Sequence, residues 1–283
     1  MKAIRLLGAT PNRTAILYDV LAEAAPEGID RDRLSAMIGP SNLARSEGAG
    51  DDNAFRDCLN AGEELGLFQI VDGAVRLTPL DGKRPGFLEL VDARAVEDPE
   101  TVDVPTGWLA GAIAWMLCQD PRQPLPWSGS TAVMRLKREV GGARDFGMTN
   151  DSRYQQAVYW AKALGYVDRM PMPDDAVIPD PTTAILRRLP SLLPEGSEQP
   201  MRIFLADLAL NCPVLDGGRL RAEVEAASSI TRESSTLSAS LSLALLRLKH
   251  RGVLKLSYLD DGQAVYIDGL DGGRASHITR LRG

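Results

Sequence analysis

A seven-position phrase occurs twice in this chain, as Asp30-Arg31-Asp32-Arg33-Leu34-Ser35-Ala36 and as Asp216-Gly217-Gly218-Arg219-Leu220-Arg221-Ala222. Each copy lies at the same distance before a glycine that closes an apolar-periodic stretch, Gly66 in one case and Gly252 in the other. Past each glycine come an extended stretch, an Asp/Gly turn and a second extended stretch. Three short helices followed by a β-hairpin restrict the chain to few folds, and the winged helix fits best.

The first module spells this order out. Thr10-Pro11-Asn12 is a helix start with proline in the first turn, and Ile16, Leu17, Val20 and Leu21 recur at helical spacing. Asp30 caps a second helix that ends near Gly39-Pro40, and residues 41–52 form a polar turn. Asp51 or Asp52 starts a third helix with Phe55, Leu59, Gly62 and Leu65 inward. Phe68–Val71, Asp72-Gly73 and Ala74–Leu77 make a two-residue hairpin.

The C-terminal module repeats the plan. Its first helix is expected over 201–210, and its third carries Leu237, Leu241, Ala244, Leu245 and Leu248 inward. Its wing is expected as a hairpin, with Leu254, Leu256 and Tyr258 alternating before Asp260-Asp261-Gly262 and Val265 and Ile267 after. A third copy fits the middle of the chain. Trp108–Gln119 is helix one and Ser128-Gly129-Ser130 opens a second. Asn150 or Asp151 caps a third, which stops at Gly165. Tyr166–Met170 and Val177-Ile178 are the strands. The fold class is therefore mainly α with small β-hairpins, as tandem winged-helix (helix–turn–helix) modules. The boundaries are an N-terminal winged helix over 1–85, an acidic connector over 86–105, a middle winged-helix-like domain over 106–190 and a C-terminal winged helix over 198–283.

Charge distribution refines the functional reading. The net charge is −6, but Glu89, Asp92, Glu97, Asp98, Glu100 and Asp103 concentrate acidity in the connector, while the middle module is mildly basic. In a DNA-reading helix–turn–helix, polar side chains of the last helix face the major groove. The middle module offers Arg144 in its turn, then Arg153 and Gln156, with Tyr159 and Lys162 further along. Arg135, Lys137 and Arg138 precede them, within reach of phosphates. The C-terminal module adds Arg232, Ser238, Ser242, Arg247, Lys249 and Arg251. The first module has only the stripe Asn53, Arg56, Asn60 and Glu63, whose acid opposes phosphate. Solvated helix faces and ordinary caps account for the same residues without DNA.

Signatures of catalysis are missing. There is no phosphate-binding glycine loop, no Cys-x-x-Cys and no His-Glu-x-x-His, and His250 and His277 are the only histidines. Asp174, Asp175 and Asp180 suit turns as well as they suit a divalent ion. Cys58, Cys118 and Cys212 sit in apolar stretches and read as buried thiols. No enzyme activity, cofactor or metal is expected. The longest apolar run, Trp108–Cys118, is too short to span a bilayer, and no signal peptide opens the chain. A cytoplasmic location without membrane contact is the expectation.

Part of the chain resembles a known family. Ala114-Trp115-Met116-Leu117-Cys118-Gln119-Asp120-Pro121 and Pro124-Leu125-Pro126-Trp127, then Ala163-Leu164-Gly165-Tyr166, are similar to motifs of the DpdG proteins. So are Ile178-Pro179-Asp180-Pro181-Thr182 and Pro213-Val214-Leu215-Asp216-Gly217-Gly218. The resemblance implies a place in bacterial clusters that insert 7-deazaguanine into DNA and restrict unmodified DNA, beside helicase and nuclease partners. It supplies no catalytic residues. The combined expectation is a non-enzymatic subunit of an anti-phage restriction assembly that contacts double-stranded DNA and partner proteins. A protein-only adaptor and a transcription factor are the alternatives.

Overall fold

A computed structural model describes residues 8–38, 51–97, 107–140, 146–170, 175–228, 235–259 and 263–282. Its contacts divide the chain into two compact units, Met1–Gly107 and Trp108–Gly283. The architecture is mainly α-helical with small antiparallel sheets, and is winged-helix-like.

In the first unit, α1 (Pro11–Glu23) begins at the expected proline. Then come β1 (Ile29–Asp30), α2 (Arg31–Ile38), α3 (Asp51–Glu64), β2 (Phe68–Val71) and β3 (Ala74–Leu77). The Asp30 carboxylate accepts from the N–H groups of Asp32 and Arg33, each at 3.0 Å, and so satisfies two first-turn amides of α2. Asp72 and Gly73 both take positive φ, the geometry of a type I′ turn, and Val71 pairs with Ala74. The sheet order is β1-β3-β2. Residues beyond this hairpin, expected as a connector, include α4 (Phe87–Asp92) and a π-helical turn over Ala93–Glu97. They fold back on the same unit. Tyr18 packs on Phe87 and donates to Pro85 O at 2.9 Å, and Arg94 donates to Leu65 O and Gly66 O.

The second unit opens with α5 (Gly107–Leu117), β4 (Leu125–Pro126), α6 (Gly129–Glu139), α7 (Asp151–Ala163), β5 (Val167–Met170) and β6 (Ala176–Pro179). The sheet order β4-β6-β5 repeats that of the first unit. Asn150, rather than Asp151, caps α7 by accepting from Arg153 N. The Glu139 carboxylate ties α5 to α6. It receives Trp115 Nε1, Gln119 Nε2 and Arg135 Nε, all at 2.9 Å.

The remaining elements are α8 (Thr182–Leu192), β7 (Glu198–Pro200), α9 (Met201–Asn211), α10 (Arg219–Ala227), α11 (Ala239–His250) and β8 (Leu254–Ser257), followed by β9 (Val265–Tyr266), β10 (Arg274–Ala275) and β11 (His277–Arg280). Two expectations are corrected here. The strand after α11 does not form a hairpin with β9. Instead β8 pairs with β11, β9 pairs with β10, and the sheet order is β7-β11-β8. The helix that packs along α11, as α1 packs along α3, is α8 and not α9. β7 runs directly into α9, as β1 runs into α2, and α10 follows. The second copy of the sequence phrase therefore marks α10. Asp30 caps its own helix, whereas Asp216 accepts from Ser238 N at 2.6 Å, at the start of α11.

The glycine corners agree in detail. Gly66, Gly165 and Gly252 have φ of 63°, 80° and 70° at the ends of α3, α7 and α11. Each is followed by a residue whose N–H reaches back to the helix: Leu67 to Gly62 O, Tyr166 to Ala161 O and Val253 to Leu248 O. Each glycine N–H also bonds to the residue three before it, Glu63, Lys162 and Lys249 respectively. These paired bonds form a Schellman motif, which needs a left-handed residue and so favours glycine. The same motif turns α3, α7 and α11 into the strands that follow them.

The core of the second unit contains Trp115, Tyr154, Trp160, Tyr166 and Phe204, all buried. Arg188 of α8 lies among them and donates to Ala184 O, Asn211 O and the Tyr166 hydroxyl, which contacts Cys212 Sγ at 3.3 Å. This network joins β5, α8 and α9 in one interior.

Candidate nucleic-acid interface

The exposed side of α7 follows from its buried arc. Tyr154, Gln156, Ala157, Val158, Trp160 and Ala161 point inward. The outward residues are Ser152, Gln155, Tyr159 and Lys162, at steps of three and four, with Tyr159 at 41% exposure and Lys162 exposed. Gln156 is 0% exposed and unable to meet a ligand outside the unit. The expected contact at Gln156 is corrected to its neighbour Gln155, a phase difference of one residue.

Around this stripe the expected cations divide. Lys137 and Arg138 are exposed at the end of α6, which packs against α7. Arg135 is half-buried and held by Glu139, so it braces α6. Arg153 is half-buried and donates to Thr149 Oγ1 at 2.9 Å. Lys162 lies 3.1 Å from Asp168 in an exposed pair, a link worth little in water. Arg144 lies outside the described residues.

One feature of this surface had not been expected. The Arg169 guanidinium lies 3.6 Å over the Trp127 ring and donates to both Asp175 carboxylate oxygens, at 2.8 and 2.7 Å. Tyr159 meets Trp127 edge-on with centroids 5.4 Å apart. A cation on an indole face is favourable, and the fork to Asp175 fixes its direction. The cluster pins β5 to the loop that follows β4 and to the exposed side of α7. Trp127 and Arg169 are far apart in sequence, which hides their association until β4, β5 and β6 are paired.

The C-terminal candidates fare differently. Ser238 and Ser242 are 7% and 1% exposed. The Ser238 hydroxyl accepts from Leu241 N as the cap of α11, and Ser242 Oγ accepts from Asp268 N. Ser240 Oγ donates to Leu117 O at 2.6 Å. The serines therefore satisfy buried groups where α11 meets α5, and the contacts expected at Ser238 and Ser242 are corrected. Arg247 pairs with Asp180, which also accepts from Thr182 N at 3.1 Å. Lys249 and Arg251 are exposed at the end of α11, where positive charge suits the helix dipole. Arg232 lies outside the described residues. In α3, Asn53 and Arg56 are exposed and bonded to each other at 2.6 Å.

Asp175 and Asp180 have separate partners, Arg169 and Arg247. Among the described residues no group of three or more His, Cys, Asp and Glu could hold a metal ion. No helix among them is long and apolar enough to cross a membrane.

Helix order, sheet order and glycine corners define a winged-helix-like protein with a polar, partly cationic helix pair on its surface. The chain belongs to the DpdG-like family, whose model matches residues 1–262. Membership places it in the context of gene clusters for 7-deazaguanine modification and restriction of DNA, and accords with a non-catalytic, adaptor-type protein. No curated protein and no solved structure matches the chain.

Proposed function

We propose that the chain is three winged helices in tandem and serves as a DNA-associated subunit of a restriction or DNA-modification assembly. The modules are α1–β3, α5–β6 and α8–β11, the last with α10 and the β9–β10 ribbon inserted. The observation that carries the DNA reading is the α6–α7 pair: Lys137 and Arg138 are exposed beside a stripe of Ser152, Gln155, Tyr159 and Lys162. Such a surface offers phosphate contacts from one helix and polar contacts to base edges from the next. Binding of this kind weakens steeply with salt.

Anisotropy titration of the full chain with duplex DNA tests the reading. The expected result is binding at low salt that Lys137→Glu, Arg138→Glu and Lys162→Glu together reduce at least tenfold. Unchanged binding in the triple variant, or none in the parent, overturns it.

A protein-only adaptor is the second reading, favoured by the burial of Ser238, Ser242 and Gln156 and by the net charge of −6. Its test is co-purification with helicase or nuclease components of the same gene cluster. Association that survives nuclease treatment, with no duplex binding by the isolated chain, supports it over the first.

A further inference from the structure

The corners at Gly66, Gly165 and Gly252 share one backbone geometry, yet α7 carries an outward ring where α3 and α11 do not. Tyr159 stands six residues before Gly165, and the same count back from Gly66 and Gly252 gives Asn60 and Leu246. The corner therefore forms without an aromatic at this place. Within α7 itself, Tyr154 and Trp160 are 0% exposed, whereas Tyr159 is 41% exposed. The buried rings build the core, and the outer one points to a use outside the fold.

This ring is held in place by its own neighbours. Tyr159 meets Trp127 edge-on, and Trp127 is fixed in turn by the Arg169 guanidinium over its indole. The Trp127 N–H donates to Asp175 O at 2.8 Å, and Asp175 also receives the fork of Arg169. Backbone and side chain of Trp127 are thus both anchored. A side chain whose direction is set in advance loses little freedom on binding, so its flat face converts efficiently into affinity.

The surroundings suit a nucleotide better than an apolar partner. Lys162 lies one turn beyond Tyr159 on the same exposed side, and exposed Lys137 and Arg138 lie on α6, which packs against α7. Asp168 and Asp175 are already paired, with Lys162 and Arg169. The exposed Lys162–Asp168 pair yields readily to a competing phosphate. A flat ring with a cation one turn away matches a base and its phosphate. In closed duplex the base faces are covered by their neighbours, and an unpaired base presents them.

We propose that Tyr159 stacks on an unpaired DNA base while Lys162 meets the adjoining phosphate, so that this face holds single-stranded or forked DNA more tightly than closed duplex. The proposal rests on the assignment of the α6–α7 face to DNA and specifies the form of DNA it takes. Every base has a flat face, so the contact carries little sequence preference.

Anisotropy of the full chain at one salt concentration tests this with three probes: a closed duplex, a single strand, and a duplex with a single-stranded tail carrying 2-aminopurine. The single strand and the tailed duplex are expected to bind about tenfold more tightly than the closed duplex, with 2-aminopurine emission quenched on binding. Tyr159→Leu keeps an apolar contact with Trp127 and lacks a flat ring. It should abolish both the preference and the quenching, with duplex binding held within about twofold. Tyr159→Phe should keep both. The proposal is overturned if the three probes bind alike, if Tyr159→Leu weakens all three equally, or if quenching survives in that variant. The DNA assignment is judged separately, by duplex binding and its loss in the Lys137, Arg138 and Lys162 triple variant. Failure of every probe to bind removes both readings and leaves the exposed ring to a protein partner.

Discussion

Ser240 Oγ donates to the carbonyl oxygen of Leu117 at 2.6 Å, joining the first turn of α11 to the last residue of α5. A carbonyl at a helix end has no intrahelical donor, and here a serine from another helix provides one. Ser240→Ala removes the donor inside a buried contact and is expected to cost about 1–3 kcal/mol in urea denaturation. A loss below about 0.5 kcal/mol would show that the carbonyl finds another partner.

Glu139 is the corresponding point between α5 and α6. Glu139→Leu strands the donors of Trp115, Gln119 and Arg135, and a loss of about 2–4 kcal/mol is expected. Because Arg135 acts through Glu139, Arg135→Leu added to it should cost less than it does alone. Additivity within about 0.3 kcal/mol in a double-mutant cycle would refute that coupling.

The three glycine corners differ in what surrounds them. A Cβ on Gly252 would meet nothing within 4 Å, whereas one on Gly165 would lie 2.7 Å from Thr183 Cβ. Both substitutions incur the left-handed backbone cost of about 1–2 kcal/mol. Gly165→Ala should cost a further 1–3 kcal/mol or so for overpacking. Equal unfolding midpoints for the two alanine variants would contradict this.

Asp175 titrates below the ordinary aspartate range because Arg169 donates two hydrogen bonds to its carboxylate. A lowered folded-state pKa means that the bond contributes fully above the unfolded pKa, about 3.9. The contribution is lost as the pH falls through the folded value. In an NMR titration of side-chain carboxyls, the Asp175 midpoint should lie below that of an exposed aspartate, and Arg169→Gln should raise it. An unmoved midpoint would detach Arg169 from this effect.

Burial pushes the Cys118 thiol up to about 11, against the opposing influence of Arg221. The reactive thiolate is then scarce at neutral pH. Alkylation by iodoacetamide at pH 7 should be about a hundredfold or more slower than for a free thiol near 8.5. Labelling at the rate of free cysteine would show that the site opens.

Local signals carried much of this fold into view. Asp30, Asn150, Asp72-Gly73 and the three corner glycines act within a few residues of themselves, so their neighbours in sequence suffice to recognise them. The pairing of β8 with β11 depends on a partner beyond the β9–β10 ribbon, and no short-range pattern marks it. The role of α8 was hidden for the same reason. Its packing partner α11 is distant, and the repeated phrase at Asp216 marks α10 instead. At the candidate interface the error was one of phase. Gln156 belongs to a buried arc wide enough to include a polar residue, while Tyr159 and Lys162 share their face with Gln155.

The placement of β11 bears on how the protein is made. It is the central strand of its sheet, with β7 on one side and β8 on the other, yet both neighbours leave the ribosome before it. Until residues 277–280 emerge, the nascent chain holds two strand edges with nothing between them. Final closure of the second unit must then follow synthesis of this strand, and nascent chains stalled upstream of it would be the ones most in need of a chaperone.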